Sequence, residues 1–399
     1  MSRHDGLYQW VTTVATHLPH LSKPQATVLA FWSFGMVMVG SCGCTTVAVF
    51  LAKLLNQKDN TVRQRLREWY QDAADKRGDQ RQTLEVTPCF ASLLRWILRW
   101  WDWKEHRLAL ALDATTLGQR FTVLVISVLY RSCAIPVAWV VVPATTPGKW
   151  KPHWLKLLAL FEASVPATWT VIVLADRGLY ARWLYRQVQR VGWHPFFRIN
   201  HGGKFRPCGH NSFQLLSTLV PTVDTQWCGQ GTCFKTQPLA CTLLARWDAG
   251  HTDPWLIVTD LAPEQAHVCW YAMRAWIECD FKDTKRGGWQ WQQTQINDPA
   301  RAERFWLAIA VATLWVVSVG GEVDATVPAS SFDELPATHI ARRHSPRRSH
   351  LRQLSCFRQG RLEILVALLA GVKIPLGHFF PEPWPDSLLV KVHSEKTYP

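Results

Sequence analysis

The stretch that decides the fold is RLALALDATTLGQRFTVLVISVLYRSCAIPVAWVVV, residues 107–142. It contains three apolar runs, RLALALD, FTVLVISVLY and AIPVAWVVV, separated by short polar breaks. Such runs predict buried strands, and the short break around Arg131 and Ser132 predicts that the second and third runs form an antiparallel hairpin. We expect the first strand to end at Asp113, which would place a carboxylate at the end of a buried strand.

The next segments continue an α/β pattern. A helix is predicted over about 151–163, and TWTVIVLAD then predicts a buried strand that ends at Asp176. A second helix is predicted over 178–191, and GWHPFFRI predicts another strand. The order of three strands, helix, strand, helix and strand is that of a ribonuclease-H-like mixed sheet, in which strands one and four are neighbours. Both aspartates would then lie at strand ends, where α/β folds place their chemistry.

Composition changes divide the chain into five regions. They are a helical DNA-binding region over 1–95, the first part of the core over 105–199, a β-rich insertion over 200–265, the second part of the core over 266–320, and a basic C-terminal region over 321–399. In the first region, TVRQRLREWY predicts a basic helix that carries Arg63, Arg65 and Arg67. These arginines suit a helix-turn-helix DNA reader, and they equally suit a solvated helix face.

The charge balance indicates a polyanionic partner. Lys and Arg outnumber Asp and Glu by 44 to 30, which gives a net charge of +14 and is compatible with nucleic acid or an acidic membrane surface. Residues 28–52 carry no charge and are long enough to span a bilayer. However, glycines interrupt this segment, and GSCGC favours a turn between two buried helices.

Trp and Cys residues each leave two interpretations open. There are 23 Trp, which suit base stacking but more often fill cores. There are 11 Cys, an odd number, and the N-terminus has no long apolar stretch of the kind found in signal peptides. We therefore expect free thiols in a reducing compartment. Zinc at Cys208, His210, Cys228 and Cys233 is the alternative, although their spacing fits no standard finger.

The segment YAMRAWIECDFKDTK, residues 271–285, carries the strongest chemical pattern. Tyr271, Arg274, Glu278 and Lys285 stand at offsets of 0, 3, 7 and 14 residues. At about 100° per residue, these four side chains would fall within an arc of about 60° on one α-helix. An acid, two cations and a phenol would then share one face, while neighbouring apolar residues pack elsewhere.

The same spacing, Tyr-x2-Arg-x3-Glu-x6-Lys, resembles the YREK signature of DDE transposases of the insertion-sequence-four family. LALDATTL around the first aspartate, AIPVAWVV after it and VLADRGLY around the second aspartate are similar to that family as well. FRIN resembles the strand that precedes the family's inserted β-domain. The similarity covers about residues 105–320, and the flanking regions are similar only in general character.

The resemblance implies a metal-dependent enzyme that moves DNA by cutting and joining. It implies that Asp113, Asp176 and Glu278 are catalytic and hold two Mg²⁺ ions, for which Mn²⁺ can substitute, because hard cations prefer oxygen ligands. It also implies that Lys285, Arg274 and Tyr271 contact DNA. Arg198 in FRIN is a further candidate for such a contact. For the three cations, an ion pair with a nearby acid is the alternative.

The resemblance also implies partners and intermediates. The expected partners are double-stranded DNA with terminal inverted repeats, a target DNA and a second copy of the chain in the DNA complex, in a bacterial cytoplasm at the nucleoid. A hairpin intermediate would require an aromatic platform for a flipped base, and the candidates are Trp227, Trp247 and Trp255. A silenced transposase that binds DNA as a repressor, and a ribonuclease-H-like nuclease that cuts without joining, are the competing hypotheses.

Overall fold

The computed structural model describes residues 5–79, 81–145, 148, 150–325 and 354–386. Most of the basic C-terminal region predicted over 321–399, including the sequence ARRHSPRRSHLR, lies outside the described residues.

The N-terminal part of the chain is helical, as the sequence predicts. Its helices are α1 (Asp5–His17), α2 (Lys23–Val39), α3 (Cys44–Leu55), α4 (Asp59–Tyr70) and α5 (Thr87–Trp100). Ser22 and Gln25 form a reciprocal capping box that starts α2. Gly40 ends α2 with a φ of 65°, and α3 follows at an angle of 98°. The apolar segment 28–52 therefore belongs to two separate helices that meet at a sharp turn.

The core sheet has the predicted ribonuclease-H-like order. Its first strands are β1 (Arg107–Leu117), β2 (Phe121–Tyr130), β3 (Cys133–Pro143), β4 (Thr170–Ala175) and β5 (His194–Arg198). Strands β2 and β3 form the predicted antiparallel hairpin, and β1 pairs antiparallel with β2. On its other side β1 pairs parallel with β4, and β4 pairs parallel with β5. Every residue of β2 is buried, which explains its unbroken apolar run.

The β-rich insertion continues this sheet. Its strands are β6 (Lys204–Pro207), β7 (Gln214–Leu215), β8 (Thr225–Cys233), β9 (Leu239–Trp247) and β10 (Trp255–Thr259). Strand β10 pairs with β5 and β9 pairs with β10, so the ten strands run in the order β3-β2-β1-β4-β5-β10-β9-β8-β6-β7. The insertion is thus part of one mixed sheet.

The remaining helices cover the sheet. They are α6 (Lys151–Ala159), α7 (Arg182–Arg190), α8 (Trp276–Thr284), α9 (Pro299–Ala325) and α10 (Cys356–Leu369). Helix α9 is long and apolar enough to cross a membrane, with a mean hydropathy of 1.7, but 89% of that window is buried inside the protein. Burial of this extent is typical of the central helix of a packed core.

Helices α9 and α10 touch through two glycines. A Cβ atom on Gly360 would lie 1.8 Å from the carbonyl oxygen of Val316, and one on Gly320 would lie 1.8 Å from that of Cys356. Only a residue without a side chain permits backbones to approach this closely. The glycine pair therefore fixes α10 against the buried helix of the core.

Candidate active site

Two aspartates lie where β1 and β4 separate. The parallel pairing of the two strands ends at Ala111 and Leu174, and Asp176 follows the last residue of β4 directly. The prediction that β1 ends at Asp113 is wrong, because β1 continues to Leu117 in its hairpin with β2. Asp113 nevertheless lies just beyond the last pair with β4, so both carboxylates occupy the same end of the parallel strands.

The YREK segment does not form the single α-helix that the sequence predicts. Val268–Ala275 form a 3-10 helix, and the α-helical part, α8, begins only at Trp276. The prediction that all four side chains share one face of an α-helix is therefore wrong. Arg274 and Glu278 stay together as an i,i+4 pair across the junction, with Arg274 Nη1 donating to Glu278 Oε1 at 3.1 Å.

Arg274 brings the three acids together. Its Nη2 lies 2.6 Å from Asp113 Oδ2 and 3.8 Å from Asp176 Oδ2. The other oxygen of each aspartate accepts a backbone N–H, from Ala114 at 2.8 Å and from Leu179 at 3.0 Å. Each aspartate is thus anchored through one oxygen and turns the other oxygen toward the guanidinium.

The electrostatics of the cluster follow from its partial burial. The side chains of Asp113 and Arg274 are 16% and 15% exposed, whereas those of Asp176 and Glu278 are 39% exposed and open to solvent. Burial raises the pKa of Asp113, and Arg274 partly offsets that rise. Burial alone would lower the pKa of Arg274, but the surrounding carboxylates raise it overall. The cluster carries three acids and one cation, and this excess of negative charge favours cations.

The donor set fits a divalent metal in type and charge. Three carboxylates offer oxygen ligands alone, which hard cations such as Mg²⁺ prefer. Within the described residues, however, no three His, Cys, Asp or Glu side chains are grouped so that they could hold one metal ion. In this arrangement, the cation that the three carboxylates share is the guanidinium of Arg274.

Lys285 is held near the cluster by a hydrogen bond to Thr115, a residue that the sequence analysis does not identify. Its Nζ donates to Thr115 Oγ1 at 2.7 Å, and burial lowers its pKa. Thr115 stands two residues after Asp113 on β1, so both side chains project from the same face of the strand. Because alternate residues of a strand share a face, the position of Thr115 two residues after Asp113 could have identified it from the sequence.

The aromatic candidates differ in their accessibility. Tyr271 is buried, with a pKa raised by burial, and its ring packs edge-on against Trp255 at 5.3 Å between centroids. Trp255 is itself only 7% exposed, so it offers no open face for a base. Trp227 and Trp247 are half-buried: Trp227 packs against Phe205, and the Trp247 indole donates to the His251 carbonyl.

The remaining predicted DNA contacts are not part of the cluster. Arg198 forms an ion pair with Asp253 at 3.2 Å, which is the alternative foreseen for this residue. Val62, Leu66 and Trp69 of α4 are buried, whereas three arginines spread around the same helix are exposed: Arg63, Arg65 and Arg67. Their exposure is compatible with both a DNA contact and a solvated face.

The cysteines do not form a zinc site in the described part of the chain. Cys208 and Cys228 are exposed, whereas Cys233 is buried and contacts Cys241 on the neighbouring strand. All eleven cysteines are free.

The fold and the acidic cluster can now be compared with known proteins. Residues 137–315 match the family model described as the transposase DDE domain. The match includes Asp176 and Glu278 and begins after Asp113. It covers less than half of the chain and supports a relationship to DDE transposases.

Other comparisons are less informative. No curated protein matches the chain. Seven chains of solved structures match, among them the cryo-EM structure of a piggyBac transposase synaptic complex with hairpin DNA. It is 10% identical, covers 77% of this chain and 71% of that chain, and has a TM-score of 0.39. The ribonuclease-H-like fold is identified by the order of the strands.

Proposed function

We propose that the chain is a DDE transposase of the insertion-sequence-four type, which moves an insertion sequence by cutting and joining DNA. The observation that carries the proposal is the contact of Arg274 with all three predicted carboxylates, from β1, from the end of β4 and from α8. The match of residues 137–315 to the transposase DDE domain supports it independently.

Asp113, Asp176 and Glu278 are the residues that would hold two Mg²⁺ ions. When bound, such ions activate an oxygen nucleophile and stabilise the leaving oxygen of a phosphodiester. Of the three acids, Asp113 makes the shortest contact with the shared guanidinium, so a bound cation would compete with Arg274 most directly there. The backbone N–H donors of Ala114 and Leu179 fix the orientation of the two aspartates before any ion or DNA arrives.

The cations of the same segment would position the DNA. Lys285 projects beside Asp113 by way of Thr115, where it can bind a phosphate next to the scissile bond. Arg274 can donate to phosphate through the same nitrogens that now contact the acids. Tyr271 would act by packing, since it is buried against Trp255. Arg198 would have to leave its ion pair with Asp253 to reach DNA.

The proposed reaction has four transfers at phosphorus. Water attacks one strand at the end of the element and releases a 3′ hydroxyl. That hydroxyl attacks the opposite strand and forms a hairpin, which frees the flanking DNA. Water then reopens the hairpin, and the restored 3′ hydroxyl attacks the target DNA and releases a target 3′ oxygen. Each step forms one P–O bond and breaks one, so no redox partner is needed.

The proposed partners follow from this reaction. They are double-stranded DNA with terminal inverted repeats, target DNA and a second copy of the chain, in a bacterial cytoplasm at the nucleoid. The net charge of +14 favours a polyanionic partner. The exposed arginines of α4 are the candidate contacts outside the catalytic core.

The test uses DNA that flanks the coding sequence as substrate. The protein is incubated with a duplex that ends in the candidate repeat, with Mg²⁺ and a supercoiled target plasmid, and nicks, hairpins and joined products are resolved on denaturing gels. The proposal expects all three products. Binding without any cleavage would support a repressor instead, and cleavage without joining would support a nuclease; either outcome contradicts the proposal.

A further inference from the structure

A cavity of about 400 Å³ is lined by residues that directly follow the YREK segment in sequence. Its walls are Gly40 at the end of α2, the loop 286–290 and the start of α10, and it is open to solvent on one side. Three guanidinium groups line it, and we call it the arginine pocket after Arg286, Arg358 and Arg361. Among the described residues, no acid lines it.

Arg361 is held rigidly in the arginine pocket. Its Nε donates to the carbonyl of Val37 at 2.7 Å, and its Nη2 donates to the carbonyl of Met38 at 3.2 Å. Gly40 has a φ of 65°, and a Cβ atom there would lie 2.7 Å from Arg361 Nη2. The backbone of α2 thus leaves room for the guanidinium and orients it without neutralising its charge.

Arg286 and Arg358 are exposed and add charge to the same space. Arg358 lies in the first turn of α10, where Ser355 caps the helix by accepting its backbone N–H, and this helix end carries a partial positive charge. Burial raises the pKa of Asp283 to about 7, and the charges of Lys282 and Arg358 partly offset that rise. Across the described part of the chain, none of the three arginines forms an ion pair within 4.0 Å.

The arginine pocket adjoins a second cavity that leads toward the candidate active site. A second cavity of about 430 Å³ shares Arg286 with it and is lined by Lys282 and Lys285. Lys285 in turn contacts Thr115, two residues from Asp113. Positive side chains therefore follow one another from the carboxylates to the arginine pocket. A ligand that needs successive positive groups along a path is a chain of phosphates, not a single small anion.

We propose that the arginine pocket binds a backbone phosphate of the DNA strand that leaves the active site past Lys285. Guanidinium groups suit this ligand, because each can donate two parallel hydrogen bonds to phosphate oxygens. The contact would set the path of the strand and carry no sequence information. This inference rests on the proposed function, since it takes the ligand to be the DNA on which the carboxylates act.

The test removes the two exposed arginines and leaves the half-buried Arg361 in place. The variant is Arg286→Gln combined with Arg358→Gln, and the matched control is Arg186→Gln combined with Arg190→Gln, which removes the same charge from exposed positions on α7. Affinity for end DNA is measured by fluorescence anisotropy between about 50 and about 200 mM salt. Thermal melting of each protein confirms that the fold is retained.

The proposal expects the pocket variant to bind DNA roughly tenfold more weakly than the control, because charge-assisted contacts are lost. The slope of log affinity against log salt should fall by about 0.9 relative to the control, the value for one phosphate. An affinity and slope equal to those of the control would overturn the inference while leaving the proposed function intact. If the parent protein binds no DNA at all, the proposed function itself fails.

A second arm separates backbone phosphate from free phosphate. Inorganic phosphate is titrated against the parent and the pocket variant, with the melting temperature as the signal. A phosphate response that requires the two arginines, together with unchanged DNA affinity in the variant, would identify a small-anion site and overturn the proposal. Loss of DNA affinity in the variant supports it, whether or not free phosphate also binds.

Discussion

Arg274 Nη2 lies 2.6 Å from Asp113 Oδ2, across 161 residues of sequence, and the same guanidinium contacts Glu278. One side chain therefore neutralises acids that come from β1 and from α8. This contact connects the stability of the apo protein to its affinity for metal, because any cation that binds the carboxylates competes with Arg274 for their charge.

We expect Arg274→Gln to be less stable than the parent in EDTA by about 3 kcal/mol, since it leaves a largely buried carboxylate without its partner. Mg²⁺ should then stabilise the variant more than it stabilises the parent. Melting temperatures with and without Mg²⁺, and Mn²⁺ binding followed by electron paramagnetic resonance, measure both effects. Arg177→Gln is the control, because Arg177 neighbours Asp176 in sequence but pairs with Asp253. Equal metal affinity in Arg274→Gln and the parent would contradict the competition.

Removing the charge of Glu278 should separate DNA binding from chemistry. Glu278→Gln keeps the shape of the side chain, so we expect end binding close to that of the parent and cleavage reduced at least about 100-fold, the upper end of the loss seen when outer partners of a metal are changed. Gel-shift affinity and Mg²⁺-dependent cleavage are measured side by side. Parent-like cleavage by Glu278→Gln would exclude it as the third carboxylate.

The matched control for that experiment is Asp280→Asn. Asp280 is only 2% exposed and contacts Thr284, and burial raises its pKa well above the usual value. Burial therefore favours the protonated form of Asp280, and an amide of the same shape should leave cleavage unchanged. A loss of cleavage in Asp280→Asn without a loss of stability would move the third acid to that position.

The sequence predicts the sheet better than it predicts the site. The apolar runs of β1 to β5 specify buried strands because a strand covered on both faces tolerates almost no polar residue. The spacing of Arg274 and Glu278 likewise predicts their i,i+4 contact. Three features depend on tertiary packing and leave no local pattern: the 3-10 conformation before Trp276, the joining of β10 to β5, and the contact of Arg274 with Asp113.

Asp283 should make stability depend on pH. Burial raises its pKa from 3.8 to about 7, so the folded protein favours the protonated acid. The stabilisation is fully present below the unfolded pKa of about 4 and is lost as the pH rises through about 7. Its size is on the order of 4 kcal/mol at most. Urea unfolding of Asp283→Asn and the parent at about pH 5 and about pH 8 should show a smaller fall with pH in the variant. Parallel pH profiles for the two proteins would contradict this.

The contact between α9 and α10 should not tolerate a methyl group. Gly360→Ala would place a Cβ atom 1.8 Å from the carbonyl oxygen of Val316, so the helices must separate. We expect destabilisation of at least about 3 kcal/mol, the upper end for an overpacked core. Val366→Ala, at a position of α10 that is 58% exposed, should cost less than about 1 kcal/mol. Chemical denaturation measures both, and a Gly360→Ala protein as stable as Val366→Ala would refute the close approach.

Lys285 should contribute one phosphate contact without assembling the acidic cluster. Its Nζ donates to Thr115 Oγ1, and no contact of Lys285 with an acid occurs within the described residues. Lys285→Met keeps the apolar stem of this half-buried side chain and removes its charge. We expect DNA affinity to fall about tenfold and the salt slope to fall by about 0.9, while Mn²⁺ affinity stays that of the parent.

Thr115→Val is the matched control for Lys285→Met, because it removes the hydroxyl that accepts from Lys285 and leaves the ammonium group in place. If Lys285 serves DNA, the valine variant should keep the parental salt slope. If Lys285 only fixes β1 against α8, both variants should lose stability together and neither should change the slope. Anisotropy titrations over the same salt range, with melting temperatures recorded for each protein, distinguish these two roles.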